Sequence, residues 1–459
     1  MRWFLCTAGR GISVKDWAGV RRLPMPIDEK YGKDVQFFTM HDLLHDLARL
    51  IMGDELLDAT TKCNYIRGRN HRYAFLSDCS KPLSSFVTYP DKIRALCFLG
   101  GGETVHYPAG FSTAKYLKVL DLQECSLEKL PPSIGQLKLL RYLNAQGIKD
   151  RVIPGCVTKL SKLIFLSLRG SCELLALPES IGKMEGLMYL DLSGCSKIRK
   201  LPRSFGKLES LIHLDLSFCY RINGIPEALC SLTKLQYLNL SQKWDVEEKI
   251  NLQGLSEVFR KLIELRYLNV SGCTELISTD LDELFGNIST LSNLEHLDLS
   301  RNYELENIPD SICSLRKLHT LDLTRCQNLC RLPGNMGHME NLKFLIVNMC
   351  ISLDRSTLPI NKSLIPLPNF VVHASEGEQS CNLILLKDVN PPNLEISRLE
   401  NVTSVEEARR IELRGKTSMV DLTLDWTSGT KGFVEDMELL GELKPPNISY
   451  GLGYKDITV

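Results

Sequence analysis

The segment Leu211-Ile212-His213-Leu214-Asp215-Leu216 decides the fold, because its spacing of apolar residues recurs along most of the chain. Equivalent Leu-x-x-Leu-x-Leu segments start at Ile93, Leu117, Leu140, Leu163, Leu187, Leu235, Leu265, Leu294, Leu318 and Leu342. Most intervals are 23 or 24 residues, and the two longer ones, of 30 and 29 residues, flank Leu265. A unit this short cannot close a core alone, so the pattern predicts a stack of repeats that share one apolar column.

Each repeat also has a second motif, in which Leu-Pro or Ile-Pro is usually followed by Ile-Gly, Phe-Gly or Met-Gly. It occurs at Leu130-Pro131, Leu177-Pro178, Leu201-Pro202, Ile225-Pro226, Ile308-Pro309 and Leu332-Pro333. Proline fixes φ and lacks an amide donor, which suits a turn on the convex side rather than a continuing helix. The two motifs together predict a leucine-rich-repeat horseshoe, an α/β solenoid with a parallel β-sheet on its concave face. Alternation along the strand should bury Leu120 and Leu122 and turn Val119 and Asp121 to the concave face.

Composition excludes several classes of function. Lys plus Arg and Asp plus Glu each number 55, so no whole-chain basic field exists to attract nucleic acid. No apolar run approaches the roughly 18 to 20 residues of a membrane-spanning helix, and the stretch from Met1 to Arg10 is too short for a secretory signal. We therefore expect a protein made and kept inside the cell, with no transmembrane segment and no nucleic-acid partner.

Six of the 16 cysteines occupy one slot, three residues after the last leucine of the motif, where Asn302 stands in another repeat. They are Cys125, Cys195, Cys219, Cys273, Cys326 and Cys350. The repeat template places Asn or Cys in this slot as a small core residue that bonds turn backbone. We interpret the six as structural thiols rather than as a disulfide framework.

Residues 33 to 52 form the other informative segment. A short apolar run from Val35 to Phe38 precedes an amphipathic helix that carries Met40-His41-Asp42-Leu43-Leu44-His45-Asp46. This resembles the wing end and Met-His-Asp motif of the plant intracellular nucleotide-binding leucine-rich-repeat disease-resistance proteins of the coiled-coil class. The segments Leu367 to Val372, Leu394 to Val402 and Leu424-Asp425-Trp426 resemble the C-terminal repeats of that family.

The resemblance implies a role for His41, which in the family lies against the diphosphate of bound ADP, with Asp42 orienting the turn. The phosphate loop is missing from this sequence, since Gly415-Lys416-Thr417 has Arg410 where a glycine is required. We therefore expect no cofactor in this chain, and ADP or ATP only if it is joined to a complete nucleotide-binding domain. The sequence matches the C-terminal part of the family.

The same helix imitates a His-Glu-x-x-His zinc site through His41 and His45, but Asp42 is shorter than Glu and no third ligand is evident. The family motif accounts for both histidines. No Cys-x-x-Cys pair, Gly-x-Ser-x-Gly elbow or other nucleophile set occurs either. We expect neither a metal site nor enzymatic activity.

Equal motif positions should form columns across the concave face, because parallel strands stack about 4.8 Å apart. The third position supplies the candidate protein-binding residues, a largely aromatic column: Tyr142, Phe165, Tyr189, His213, Tyr237, Tyr267 and His296. The fifth position supplies a polar stripe beside it: Asp121, Asn144, Ser167, Asp191, Asp215, Asn239, Asn269, Asp298 and Asp322. Such rings suit a protein interface; alternatively, they stack on each other to cover the strands without a partner.

The second motif position varies most and is where specificity would be placed. It reads Lys118, Arg141, Ile164, Met188, Ile212, Gln236, Arg266, Glu295 and His319. The long unit after Leu235 adds a charged insertion, 242 to 249, with Trp244 as a further candidate contact. The alternative for Trp244 is a solvent loop whose ring folds back.

The domain prediction follows the chain from end to end. Residues 1–32 are unassigned, 33–60 form the end of a winged-helix module, and 61–92 are a linker that leads to the repeats. Residues 93–350 are repeats, 351–392 are an irregular connection, 393–444 are further repeats, and 445–459 are an atypical tail.

Two functions remain open at this stage. The first is the recognition module of an intracellular plant immune receptor, cytoplasmic or also nuclear or peripheral at the plasma membrane. It would bind a pathogen effector or a guarded host protein, and a nucleotide-binding domain in trans. The second is an intracellular scaffold of the Ras-group leucine-rich-repeat type, which would leave the Met-His-Asp motif unexplained.

Overall fold

The computed structural model describes residues 56–58, 70–76, 78, 80–98, 113–123, 125, 127–242, 254–273, 281–354, 357–359, 369–372, 382–387, 393–397, 399–402, 404–413, 421–424 and 433–443. The Met-His-Asp segment, with His41, and residues 243–249 of the insertion, with Trp244, lie outside these residues. The chain divides into two compact units between Glu173 and Leu174.

The first unit contains six parallel strands among its described residues. They are β1 (Leu56–Asp58), β2 (Tyr73–Leu76), β3 (Ala95–Phe98), β4 (Val119–Asp121), β5 (Tyr142–Asn144) and β6 (Phe165–Ser167). Strands β1 and β2 lie before Ile93, so the sheet begins upstream of the first predicted repeat and β2 falls in the predicted linker. The leucine motif does not predict β2, because its sequence Tyr-Ala-Phe-Leu lacks the leucine spacing, although all four of its residues are buried.

The second unit continues the same pattern of one short strand per repeat. Its main parallel strands are β7 (Tyr189–Asp191), β8 (His213–Asp215), β9 (Tyr237–Asn239), β10 (Tyr267–Asn269), β11 (His296–Asp298), β12 (Thr320–Asp322) and β13 (Phe344–Ile346). A separate parallel sheet holds β14 (Asn369–Val371), β15 (Asn393–Ser397) and β16 (Asp421–Leu424). The predicted leucine-rich-repeat solenoid is confirmed.

The leucines of the motif form the core, as the alternation predicts. Leu117, Leu120 and Leu122 are fully buried, and burying one leucine side chain stabilises the fold by roughly 1.5 to 3 kcal/mol. Asp121 is partly exposed, whereas Val119 is buried as well. Its register partners on the neighbouring strands, Ala95 and Tyr142, lie on either side and explain this burial.

The second motif forms short helices, most of which start directly after the proline. Five of them are 3-10 helices with a proline at the N-cap: Pro132–Gln136, Glu179–Lys183, Arg203–Lys207, Asp310–Ser314 and Gly334–His338. Three repeats of the second unit have α-helices instead: α1 (Ile225–Leu229), α2 (Leu255–Phe259) and α3 (Leu281–Ile288). Two further helices are α4 (Val405–Arg410) and α5 (Phe433–Leu443).

The glycine of the Ile-Gly pair is required by the stacking of these helices. A Cβ at Gly182 would overlap the carbonyl oxygen of Ser204 in the next repeat, and one at Gly135 would lie 2.7 Å from the Cβ of Cys156. Among the residues that the structure describes, no helix has the length and apolar character that crossing a bilayer requires.

Candidate functional site

The third-position side chains of the second unit form a continuous stack of rings on the strand face. Ring centroids lie 4.0 Å apart between Tyr189 and His213, 3.8 Å between His213 and Tyr237, and 4.4 Å between Tyr237 and Tyr267. Interplanar angles are 6° to 11°. The rings are partly exposed, but their faces are covered by each other, so a partner would meet ring edges and polar tips.

Packing holds these rings in their neutral forms. Burial between Tyr189 and Tyr237 lowers the pKa of His213 to about 3, and burial raises the pKa of Tyr237 and of Tyr267. The Tyr267 hydroxyl accepts a hydrogen bond of 3.2 Å from Asn269 Nδ2. At neutral pH this surface therefore presents an uncharged imidazole and phenol hydroxyls.

The stack changes character after Tyr267. His296 follows at 6.3 Å and 48°, then His319 at 5.7 Å from His296 and Phe344 at 5.1 Å from His319, all tilted. The next repeat has Thr320, which has no ring, at its third position. The ring of His319, at the second position of the same repeat, continues the stack instead. From the sequence, His319 is predicted only as a variable second-position residue and not as a member of the aromatic column. Phe344 is not predicted as a binding residue, although it lies at the third position of the next repeat and extends the column by one repeat.

The first unit holds the other two aromatic candidates. Tyr142 and Phe165 stack at 4.2 Å and 14°, and each is only 6% exposed. Such burial leaves them little surface for a partner. A partner role for any of the third-position residues stays a prediction, while their mutual stacking is a feature of the fold.

The fifth-position stripe is fixed to the backbone. In repeat after repeat the side-chain oxygen accepts a hydrogen bond from the backbone N–H two residues later, as in Ser217 N to Asp215 (2.8 Å), Ser271 N to Asn269 (2.8 Å) and Ser300 N to Asp298 (2.9 Å). These Asx turns end the strands. Their oxygens are therefore structural acceptors as well as potential contacts.

The stripe also bonds laterally between repeats. Asn239 Nδ2 donates to Asp215 Oδ2 (3.2 Å) and Asn269 Nδ2 donates to Asp298 Oδ2 (2.9 Å). Burial and the neighbouring carboxylate Asp191 raise the pKa of Asp215 to about 6, and burial and Asp322 raise that of Asp298 to about 7. Burial also raises the pKa of Asp322. Asp298 is thus about half protonated at neutral pH.

The six cysteines of the cysteine slot are buried in the core. Each hydrogen-bonded thiol donates to the carbonyl oxygen that ends the preceding repeat's motif, as for Cys219 to Leu192 (3.1 Å) and Cys350 to Leu323 (3.0 Å). Asn302 donates in the same way to the carbonyl of Val270 (3.1 Å). Burial raises the pKa of Cys219, so its thiol stays protonated and unreactive.

The variable second position borders the ring stack. In the second unit it reads Met188, Ile212, Gln236, Arg266 and Glu295, all partly exposed. Arg266 and Glu295 are paired by a salt bridge of 2.8 Å, so this column passes from apolar to paired charges. Within the described residues no group of three or more His, Cys, Asp or Glu side chains has the arrangement to hold a metal ion. The geometry suits binding through a broad surface.

Comparison with known proteins agrees with this fold. The family described as "Leucine-rich repeat region" matches residues 155–271, "R13L1/DRL21 LRRs" matches 383–451, and "Leucine Rich Repeat" matches 116–137 and 293–315. A solved leucine-rich-repeat protein of Leptospira interrogans has a TM-score of 0.58 at 20% identity and covers 82% of this chain and 95% of its own. The protein is a leucine-rich-repeat protein.

More particular similarity is to plant proteins. Two Arabidopsis thaliana proteins named as disease resistance proteins are 30% identical over 149 residues and 37% identical over 160 residues. The matches cover 30% and 34% of this chain but only 10% and 17% of those proteins. The repeats of this chain are therefore similar to those of plant disease resistance proteins, the group that the Met-His-Asp segment resembles.

Proposed function

We propose that this chain is the protein-recognition module of an intracellular plant immune receptor and acts in defence. It binds a pathogen effector or a guarded host protein through the strand face of its repeats. The observation that carries the proposal is the partly exposed ring stack, bordered by the variable second position, in a protein similar to plant disease resistance proteins.

The contact chemistry follows from the geometry of the second unit. Because the ring faces are used in stacking, the partner packs its apolar side chains against Met188 and Ile212 and its polar groups against the phenol hydroxyls. The fixed side chains lose little conformational entropy on binding, which favours an interface. Binding rather than catalysis is the role we assign.

A nucleotide-binding domain is the second partner in this proposal, supplied in trans or by the same polypeptide in a longer form. His41 would then contact ADP or ATP, with the phosphate cradle contributed by that domain. The cytoplasm is the compartment in which both partners would be met.

The test is complementation in a plant line that lacks the gene. The variant Ile212→Glu/Gln236→Glu places two carboxylates on the strand face beside His213 and Tyr237. The control Ser231→Glu/Thr233→Glu adds the same charge at two exposed positions in the turn after α1. Wild type and control should restore resistance to a pathogen that the parent line resists, and the strand-face variant should not. Full resistance with the strand-face variant, at equal protein level, would refute the proposal.

A further inference from the structure

The second motif position of the first unit forms a column of four cations on adjacent strands. Arg72, Arg94, Lys118 and Arg141 directly precede β2, β3, β4 and β5, whose residues Tyr73, Ala95, Val119 and Tyr142 are in register. Backbone N–H groups join the column: Arg94 to the carbonyl of Arg72 (2.7 Å), Lys118 to that of Arg94 (2.7 Å) and Arg141 to that of Lys118 (2.8 Å). Successive cations therefore belong to neighbouring strands about 4.8 Å apart.

Three of the four cations of this basic column have no carboxylate partner in the described structure. None of Arg94, Lys118 and Arg141 forms a salt bridge there, and Arg94 and Arg141 are exposed. Burial, together with the charges of Arg94 and Arg141, lowers the pKa of Lys118. Like charges held this close destabilise the free protein, whereas the equivalent column of the second unit pairs Arg266 with Glu295.

The surroundings add to the positive field. Residues 70 to 173 contain fourteen Lys and Arg but eight Asp and Glu, although the whole chain is neutral. Lys92, Lys115 and Lys138 lie in the segments that lead into β3, β4 and β5 and are exposed. Tyr116, next to Leu117 and Lys118, is 53% exposed and offers an apolar surface beside the column.

We propose that this basic column is the docking site for an acidic amphipathic helix of a protein partner. The inference deepens the proposed function, since it names a second contact surface of the same recognition module and the chemistry of its ligand.

The spacing of the column selects a helix. A helix rises about 1.5 Å per residue, so acidic residues at i, i+3, i+7 and i+10 stand at roughly 0, 4.5, 10.5 and 15 Å along one face. The cations stand at about 0, 4.8, 9.6 and 14.4 Å. Side chains on one face of an extended peptide repeat about every 6.8 Å, so the second of them would lie between two cations of the column. A bilayer presents a plane of charge, whereas these cations form a single line that ends at Ile164, the next residue in the column.

The test measures binding of a designed peptide to the purified full chain by fluorescence anisotropy. The probe is a labelled Ala-Leu-Gln helical peptide with Glu at positions 3, 6, 10 and 13, and the comparison peptide has the same composition with the four Glu spread around the helix. We expect the patterned peptide to bind at least tenfold more tightly than its isomer, with affinity that falls as salt rises.

Variants of the column assign the site. Arg94→Glu/Lys118→Glu/Arg141→Glu should lose at least tenfold in affinity, and it should instead bind a peptide in which Lys replaces the four Glu. The milder Arg94→Gln/Lys118→Gln/Arg141→Gln should lose affinity without gaining the Lys peptide. The control Lys183→Glu/Arg203→Glu/Lys207→Glu changes charge equally on two 3-10 helices of the second unit and should bind like wild type.

Equal binding of both Glu peptides, or unchanged binding by the column variants, would overturn the proposal. So would stronger, column-dependent binding to phosphatidylserine vesicles or to single-stranded RNA than to the patterned peptide. Because the assay uses purified chain and peptide, its failure leaves the complementation result for the strand face untouched, and the reverse also holds.

Discussion

Replacing Asp322 by Asn should stabilise the second unit at neutral and alkaline pH. Asp322 and Asp298 are register partners on β11 and β12, and each accepts a hydrogen bond from the backbone N–H two residues later. Where the same stripe places Asn beside Asp, the amide donates to the carboxylate, as Asn269 does to Asp298 at 2.9 Å. Asn at position 322 would keep the turn acceptor and present a donor to Asp298 from the other side.

The magnitude follows from the charge that is removed. Two full charges about 5 Å apart at an effective dielectric constant near 20 repel by roughly 3 kcal/mol. Both side chains are partly exposed and Asp298 is half protonated near pH 7, so we expect about 1 to 1.5 kcal/mol at pH 8. The pKa of Asp298 in the fold, about 7, lies above the unfolded value of 3.8. The folded state of the wild type is therefore most stable below pH 4, and its free energy of unfolding falls as the pH rises through 7. The stability that the variant gains over the wild type should accordingly vanish near pH 4.

The assay is urea unfolding followed by circular dichroism at pH 4, 6 and 8, with hydrogen exchange of the β11 and β12 amides as a local readout. The control is Asp121→Asn, whose register partners Cys97 and Asn144 carry no carboxylate, and it should change stability by less than about 0.5 kcal/mol. Lower stability of Asp322→Asn at pH 8, or a gain of equal size at all three pH values, would refute the reasoning.

Three further substitutions test the repeat scaffold. Cys219→Ala should lower the free energy of unfolding by about 1 kcal/mol in urea titrations, since it removes a buried sulfur that donates to the Leu192 carbonyl; an unchanged midpoint would contradict this. Gly182→Ala should lower the free energy of unfolding by more, about 2 kcal/mol, because the new Cβ meets the Ser204 carbonyl. An unchanged or higher free energy of unfolding would be the contrary outcome. His213→Phe keeps the ring stack but removes a group whose pKa is about 3, so the variant should lose less stability than wild type as pH falls from 6.5 to 3; thermal melts in which the two proteins show parallel pH profiles would count against neutral His213.

The sequence was sufficient for the fold because each leucine position has a single structural task. Spacing predicted the strands and the buried cysteines, and the structure confirms both. After the prolines the sequence predicted turns, whereas the structure has short 3-10 helices and, around Pro226, an α-helix. The leucine spacing did not reveal β2, whose Tyr73 to Leu76 segment fills the same core with other residue types. Core packing needs apolar volume rather than leucine itself, so a motif search stops where the volume is supplied differently.

The candidate site was less predictable, because the burial and packing of each side chain in a column depend on the side chains of the neighbouring repeats. The sequence predicted the third-position column. It did not predict that Tyr142 and Phe165 are buried, or that Tyr237 and Tyr267 are partly exposed. His319 enters the stack because Thr320 leaves a gap that one repeat alone cannot show. The basic column likewise required the register of β2, which only the structure supplies.

The most direct measurement of the central proposal is site-specific photo-crosslinking in plant cells. A photoreactive amino acid would replace Gln236 on the strand face in one protein and Lys207, at the end of a 3-10 helix, in another. We predict a light-dependent covalent product with a second protein from position 236 and none from position 207. A product from position 207 alone, in cells that mount the defence response, would contradict recognition through the strand face.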